Sequence, residues 1–483
     1  MTEIHLSLVS HTNVGKTALA RTLLQRDVGE VRDAPHVTER AEEFALAAAG
    51  DHRLLLWDTP GFGDTARLLG LLRAQERPLG WLWAQVWDRF RDRGLWASQQ
   101  AARHVQERSD AVLYLVNATE EPGALGYVRH ELDLLAWIGR PVLLLLNQTG
   151  PGESADLARL TAAWERLAAP WPLVAGVLPL DAFTRCWVEE TVLFARLAPL
   201  LAPEKRAAMA ELARAWDAAG WARFREAVAA LAAYLAGAAA ARQPLSGPRA
   251  ARLEKRRALD ALGRRLERST RELMARLLAL HGIAGDPPAA LERRLGDLAV
   301  RGTVDLSPQQ GALWAGAVSG AMGGLAADLL AGGLTFGGGL VAGALLGALG
   351  GAGLSRAAEL VQLGGAPQVS WAAPFLDGLA RQALLRYLAV AHWGRGRGEL
   401  RELAEPESWV EPVEAALAAR EGELRRLWKA AGRGEPEAGR DLEAPLAELV
   451  GDCLETLLVE RYPEARPPAT AAPGASALPP ALR

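Results

Sequence analysis

Residues 10–17 read Ser10-His11-Thr12-Asn13-Val14-Gly15-Lys16-Thr17, set between an apolar run (Ile4, Leu6, Leu8, Val9) and a helical pattern (Ala18, Leu19, Ala20, Leu23, Leu24). A strand, a short glycine-containing loop and a helix, in that order, commit the chain to a layered α/β unit whose backbone N–H groups converge on an anion. Lys16 narrows the reading further. The chain has four lysines, at 16, 205, 255 and 429, against fifty arginines. Where positive charge is otherwise written as arginine, a lysine kept beside Gly15 marks a slot for a slim ammonium lying along a phosphate chain. A planar guanidinium is too wide for that slot. Position 10, where such a loop usually begins on glycine, is Ser10.

Further segments follow in the order a nucleotide site needs. Leu54-Leu55-Leu56-Trp57 has a buried-strand pattern and ends in Asp58-Thr59-Pro60-Gly61. In a triphosphate site Thr17 ligates Mg²⁺ directly, Asp58 holds it through water, and the Gly61 N–H meets the γ-phosphate. Thr38, in Pro35-His36-Val37-Thr38, is the natural switch threonine, a third metal ligand that closes only when the third phosphate is present. Apolar runs at 111–116, 142–146 and 173–178 complete the strands, the second ending in Asn147-Gln148-Thr149-Gly150 and the third leading to Asp181-Ala182-Phe183. Strands alternating with helical stretches predict a parallel-rich sheet with its ligand at the strands' C-terminal ends. Lys16 and Gly61 are expected to be catalytic; Val14, Gly15, Lys16, Thr17 and Ala18 are expected to cradle the phosphates.

Asn13-Val14-Gly15-Lys16-Thr17, Asp58-Thr59-Pro60-Gly61 and the later Asn147 make residues 1–200 resemble the translation-factor-related GTPases of the Era, EngA and TrmE type. More closely, the chain resembles a group of bacterial GTPases with a C-terminal domain of unknown function. Residues 147–150, Leu180-Asp181-Ala182-Phe183-Thr184-Arg185-Cys186-Trp187 and the run from Tyr387 to His392-Trp393-Gly394-Arg395-Gly396-Arg397-Gly398 look like that group's signatures. The resemblance implies GTP and GDP as ligands, with Asn147, Gln148 and Ala182 around the base and the Ala182 N–H facing the guanine O6. It also implies that Asn13 helps hold K⁺ against the phosphates as a catalytic aid, in addition to Mg²⁺. A plain turn role for Asn13 is an equal alternative.

Two departures from the pattern matter. The Era-type base-reading run is Asn-Lys-x-Asp, but the chain has Gln148 and Gly150 at the second and fourth positions. Guanine preference is therefore implied by the resemblance and not by these residues, and an ATPase of the same fold is a competing expectation. Asp181 is open to two readings, a replacement carboxylate or, as the favoured one, a helix N-cap. Phe62 stands where some GTPases carry a glutamine that orients the attacking water, so slow intrinsic hydrolysis is expected.

The remaining chain is read from composition. The formal net charge of −3 argues against a general nucleic-acid binder, and two distant cysteines imply neither a disulfide framework nor a zinc site. No basic and apolar leader pattern opens the chain, and the nucleotide site points to the cytoplasm. Residues 1–202 form the expected GTPase domain. Within it, residues 65–109 are an insertion rich in Trp81, Trp83, Trp87, Phe90 and Trp96, read as a packed helical face first and as an effector or membrane surface second. Residues 203–310 and 355–462 are expected to be helical, and 463–483 a disordered Pro- and Ala-rich tail. Residues 249–276 hold ten basic and four acidic residues, a solvated helical face.

Residues 311–354 carry one charge, Asp328, and fifteen glycines, with faces at 316/320/324 and 339/343/347/351. That pattern predicts a helical hairpin bending near Gly332-Gly333 and entering the bilayer from the cytoplasmic face, in preference to a soluble core. The expected function is a slowly hydrolysing, membrane-associated GTP switch at the inner face of the cytoplasmic membrane, working with a protein partner or activator and with a homodimer left open. A dynamin-like membrane-remodelling GTPase is the runner-up.

Overall fold

In the computed structural model the described residues are 1–24, 41–84, 92–122, 126–149, 154–182, 186–247, 252–283, 358–363, 366–394, 407–433 and 438–462. Thr38, Trp87, Phe90, Gly150, Phe183, the 311–354 segment, residues 395–398 and the 463–483 tail lie outside them. They divide into two compact units, the first built mainly from Met1–Trp221 and the second from Ala222–Ala391 and Leu403–Glu460.

The first unit centres on a six-stranded sheet in the order β2-β3-β1-β4-β5-β6. Its strands are β1 (Thr2–Ser10), β2 (Glu42–Ala49), β3 (His52–Asp58), β4 (Ala111–Asn117), β5 (Val142–Asn147) and β6 (Val174–Pro179). Only β2 runs antiparallel to its neighbour. Central strands of such a sheet are covered on both faces, so they read as continuous apolar runs. All of β5 is buried and β4 is buried up to Val116, which is why these runs are recognisable. One face carries Ile4, Leu6, Leu8, Leu54, Leu56, Leu113, Leu115 and Leu145 against Leu19 and Leu23 of α1 (Lys16–Leu24) and Phe194 of α7 (Trp187–Leu197). The other face packs Val9, Val112, Tyr114 and Leu144 against helical residues between Leu68 and Ala168.

β2 is not among the expected strands. Ala45, Ala47, Ala48 and Ala49 give it a weak strand signature, and it forms only as an edge partner of β3. The described residues of the 65–109 insertion form α2 (Thr65–Arg73), α3 (Pro78–Ala84) and α4 (Arg93–Arg108), packed on the sheet. Leu68, Leu72, Leu82, Leu95 and Val105 enter the core, with Trp81 partly buried against it. α5 (Gly126–Ile138) and α6 (Ser154–Ala168) complete the layer elements, and α8 (Pro203–Ala239) begins where the first domain is expected to end.

The second unit is mostly helical, with α9 (Arg252–Leu280), α10 (Ala373–Ala391), α11 (Glu407–Ala419), α12 (Glu421–Arg433) and α13 (Ala438–Arg461). α10 is buried nearly all round, including Leu376, Leu379, Leu384, Tyr387 and Leu388, as befits a central helix. Polar ties fix its neighbours: Trp428 Nε1 donates to Asp377 at 2.7 Å and Arg381 pairs with Glu414 at 2.7 Å. The mostly helical expectation holds, and one small sheet that it did not name accompanies the helices. β7 (Arg242–Pro244), β8 (Ala358–Leu363) and β9 (Ala366–Trp371) form an antiparallel sheet in the order β7-β9-β8. The cue is present in the chain: two short β-prone runs flank Gly364-Gly365, a hairpin signature. Among the described residues no helix is long and apolar enough to cross a membrane.

Candidate nucleotide site

The site lies where β1 and β3 end. Gly15 has φ +101°, a left-handed conformation that side chains resist, and a Cβ there would meet Asn147 Nδ2 at 2.8 Å. Asn13 also has positive φ, 64°, which asparagine tolerates, so the turn role has a backbone reason; its side chain is exposed. Ser10 is not among the positive-φ positions, so glycine is not needed there. Its buried hydroxyl instead accepts from Lys16 Nζ at 3.0 Å and donates to the His11 carbonyl at 2.5 Å. The apparent flaw in the motif is a second holding point for the lysine.

The loop after β3 closes onto the phosphate loop. Phe62 N donates to Ser10 O at 2.9 Å, Thr12 N donates to Phe62 O at 3.2 Å, and Thr59 Oγ1 donates to Leu8 O at 2.6 Å. This places Gly61 beside Lys16, with its Cβ direction 3.0 Å from Nζ. Thr17 Oγ1 donates to Asp58 Oδ2 at 2.6 Å, bringing the two expected metal ligands together. Asp58 Oδ1 is buried with no hydrogen-bond partner among the described residues. A hydroxyl and a carboxylate with spare lone pairs are the hard oxygen donors that Mg²⁺ prefers, with phosphate and water filling the other positions. Burial pushes the Asp58 carboxyl up to about 6 against the pull of Lys16 and Thr17. Burial also lowers the Lys16 ammonium, opposed by Asp58 and Glu131.

Phe62 is fully buried among Leu68, Leu72, Leu82 and Leu95, so its ring serves the core of the insertion. Gly63 N donates to Ser98 Oγ of α4 at 2.9 Å, and a Cβ on Gly63 would lie 2.4 Å from Gly94 Cα. The switch loop and the insertion therefore touch backbone to backbone.

At the base end, Asn147 is fully buried. Its Nδ2 donates to Val14 O at 2.7 Å and its Oδ1 accepts from Ala182 N at 2.8 Å. Asn147 thus braces the phosphate loop against the loop after β6. The Ala182 N–H expected at the guanine O6 is engaged in this brace. Gln148 follows with φ 61° and a half-buried side chain. Asp181 does not cap α7, whose N-cap is Cys186. Val14 and Ala18 are buried and set the loop-to-helix transition; Thr38 lies outside the described residues.

Sequence reasoning misses one group. His11 Nδ1 lies 2.7 Å from Glu131 Oε1, and Tyr114 OH donates to Glu131 Oε2 at 2.7 Å. The His11 ring stacks on Tyr127 at 4.2 Å. Glu131 is fully buried on α5, and burial raises its carboxyl, with His11 the largest opposing influence. No local spacing links residue 11 to residue 131, so no sequence signal could have found the pair.

A glycine-turned phosphate loop with its lysine, a hydrogen-bonded Thr17–Asp58 pair and a closing Asp-Thr-Pro-Gly loop on a parallel-rich sheet define a P-loop GTPase domain. A family model described as 50S ribosome-binding GTPase matches residues 5–148. A second, described as Domain of unknown function (DUF3482), matches residues 175–444. That is more than half of the chain, and the chain belongs to this family. No curated protein sequence matches. Among solved structures, a point variant of Aquifex aeolicus Era bound to GDP.AlF4⁻ is 17% identical with a TM-score of 0.32, over 42% of this chain and 58% of that one. Era in complex with MgGDPNP and a segment of 16S ribosomal RNA is 16% identical with a TM-score of 0.32, over 47% and 67%. A probable GTP-binding protein engB is 13% identical with a TM-score of 0.24, over 37% of this chain and 88% of that one.

Proposed function

We propose that the chain is a slow GTP-hydrolysing switch that works at the cytoplasmic face of a membrane. The observation that carries the switch reading is the closure of the Asp58–Phe62 loop on the phosphate loop, with Lys16, Thr17, Asp58 and Gly61 converging. In this reading Lys16 and the loop N–H groups hold the β- and γ-phosphates, and the Gly61 N–H meets the γ-phosphate. Water attacks the γ-phosphorus, the bond to the bridging oxygen breaks, and GDP and phosphate leave. Thr17 would hold a Mg²⁺ ion directly and Asp58 through water, and the ion would supply charge neutralisation at the phosphates.

Slow turnover follows from Phe62, which is buried and has no group to orient water. A K⁺ ion held with the help of Asn13, or an activating protein, supplies the missing charge. Membrane attachment is supported by the nearly uncharged, glycine-rich composition of residues 311–354. The net charge of −3 offers no electrostatic basis for carrying ribosome contact over from the family description.

GTP turnover by the full chain in K⁺ and Na⁺, for wild type and Asn13→Ala, tests the catalytic part. Faster turnover in K⁺ that Asn13→Ala abolishes is expected; equal rates remove the ion. Flotation with liposomes, with and without residues 311–354, tests attachment. An intact chain that stays with the soluble fraction refutes it.

A further inference from the structure

We propose that Asp181 is the residue that reads the guanine ring, supplying from the loop after β6 the carboxylate that Gly150 leaves out of the loop after β5. This rests on the GTP reading above.

Guanine presents two adjacent donors, N1–H and the N2 amino group; adenine presents no such pair on that edge. One ionised carboxylate, an acceptor at both oxygens, is the side chain that matches both donors. Gly150 has no side chain to do this. β5 and β6 are parallel neighbours, so their following loops open on the same edge of the sheet. The chain around Asp181 is tied down on both sides. Leu180 N donates to Leu146 O at 3.0 Å, and Ala182 N donates to Asn147 Oδ1 at 2.8 Å. A further bond from Thr22 Oγ1 to Ala182 O, at 2.6 Å, fixes the following peptide.

Held this way, the Asp181 side chain reaches across to the β5 loop. Its Oδ2 lies 3.5 Å from Thr149 Oγ1, one residue before Gly150. Asp181 is only 7% exposed, and it is the only carboxylate among the described residues of these two loops. A helix-capping role is excluded by distance in the sequence, since α7 starts at Trp187. A buried carboxylate beside Thr149, on a backbone anchored to the brace that also holds the phosphate loop, is preorganised for a base whose phosphates lie at Lys16.

The test uses the purified full-length chain and affinities for GDP, XDP and ADP in wild type and Asp181→Asn. Wild type is expected to prefer GDP. Asp181→Asn keeps size and shape but turns one acceptor into a donor. It should lose roughly 10²–10⁴-fold in GDP affinity and gain affinity for XDP, whose C2 carbonyl accepts from the new amide. A gain for XDP cannot come from misfolding. If Asp181→Asn keeps wild-type GDP affinity, or loses GDP without gaining XDP, the assignment is overturned while the GTP reading stands. If wild type prefers ADP, the GTP reading falls first and the assignment with it.

Discussion

Asn147 makes a quantitative prediction about the brace. In Asn147→Ala the Val14 carbonyl and the Ala182 N–H both lose partners, now at 2.7 and 2.8 Å, in a fully buried place. Each orphaned group costs about 1–3 kcal/mol. A water entering the vacated space would serve both groups and bring the sum to the low end, about 2 kcal/mol, while a dry site approaches about 6 kcal/mol. The cost is local, and a chain of two units need not unfold in one step, so a global melting curve is the wrong assay. Hydrogen exchange read by mass spectrometry on the nucleotide-free protein is the right one. Peptides covering residues 10–18 and 178–186 should exchange at least roughly 30-fold faster, the equivalent of about 2 kcal/mol. A peptide from β4, which keeps its ladder, should be unchanged. Unaltered exchange in both loops would refute the brace; acceleration throughout the sheet would show that Asn147 supports the domain as a whole.

Three other outcomes follow from the same geometry. Lys16→Arg should abolish nucleotide binding in equilibrium titration while circular dichroism stays native; wild-type affinity would end the argument for a narrow ammonium slot. Gly63→Ala pushes a Cβ to 2.4 Å from a backbone carbon and should cost about 1–3 kcal/mol. Gly94→Ala meets its nearest atom at 3.0 Å, so its thermal midpoint should fall less, and a reversed order would contradict the contact. Glu131 is held above its ordinary value, so the folded state binds its proton more tightly and loses stability as pH rises through the folded value. Glu131→Gln should therefore be more stable than wild type at pH 7 and match it at about pH 4 and below; parallel midpoint curves across pH would show that the carboxyl carries no such penalty.

What the sequence makes legible follows from how locally each feature is written. The phosphate loop, Asp58 and the parallel strands are encoded by short spacings and two-sided burial, and the structure places them together. β2 is hidden because its alanines carry little strand preference and its pairing comes from β3. β8 and β9 flank a readable Gly-Gly pair in the sequence, but the helical composition on either side masks it. Ser10 looks like a defect because the motif rewards glycine, whereas the structure needs an acceptor there for Lys16. His11, Tyr114 and Glu131 are joined only by tertiary folding. Asp181 reads as a cap because acidic residues often start helices; α7 starts later, at Trp187 behind its N-cap Cys186, and no spacing rule could reveal that.

The contact between Gly63 and Gly94 has a mechanical meaning. Two backbones in contact have no side chain between them that could rotate and absorb a displacement. Gly63 follows the residues that face Lys16, and Gly94 opens α4. Any shift of this loop, such as the proposed switch requires, must therefore be met by a matching shift at the start of α4, with no slack in between. The start of α4 meets the loop after β3 like a lever resting on a hard pivot.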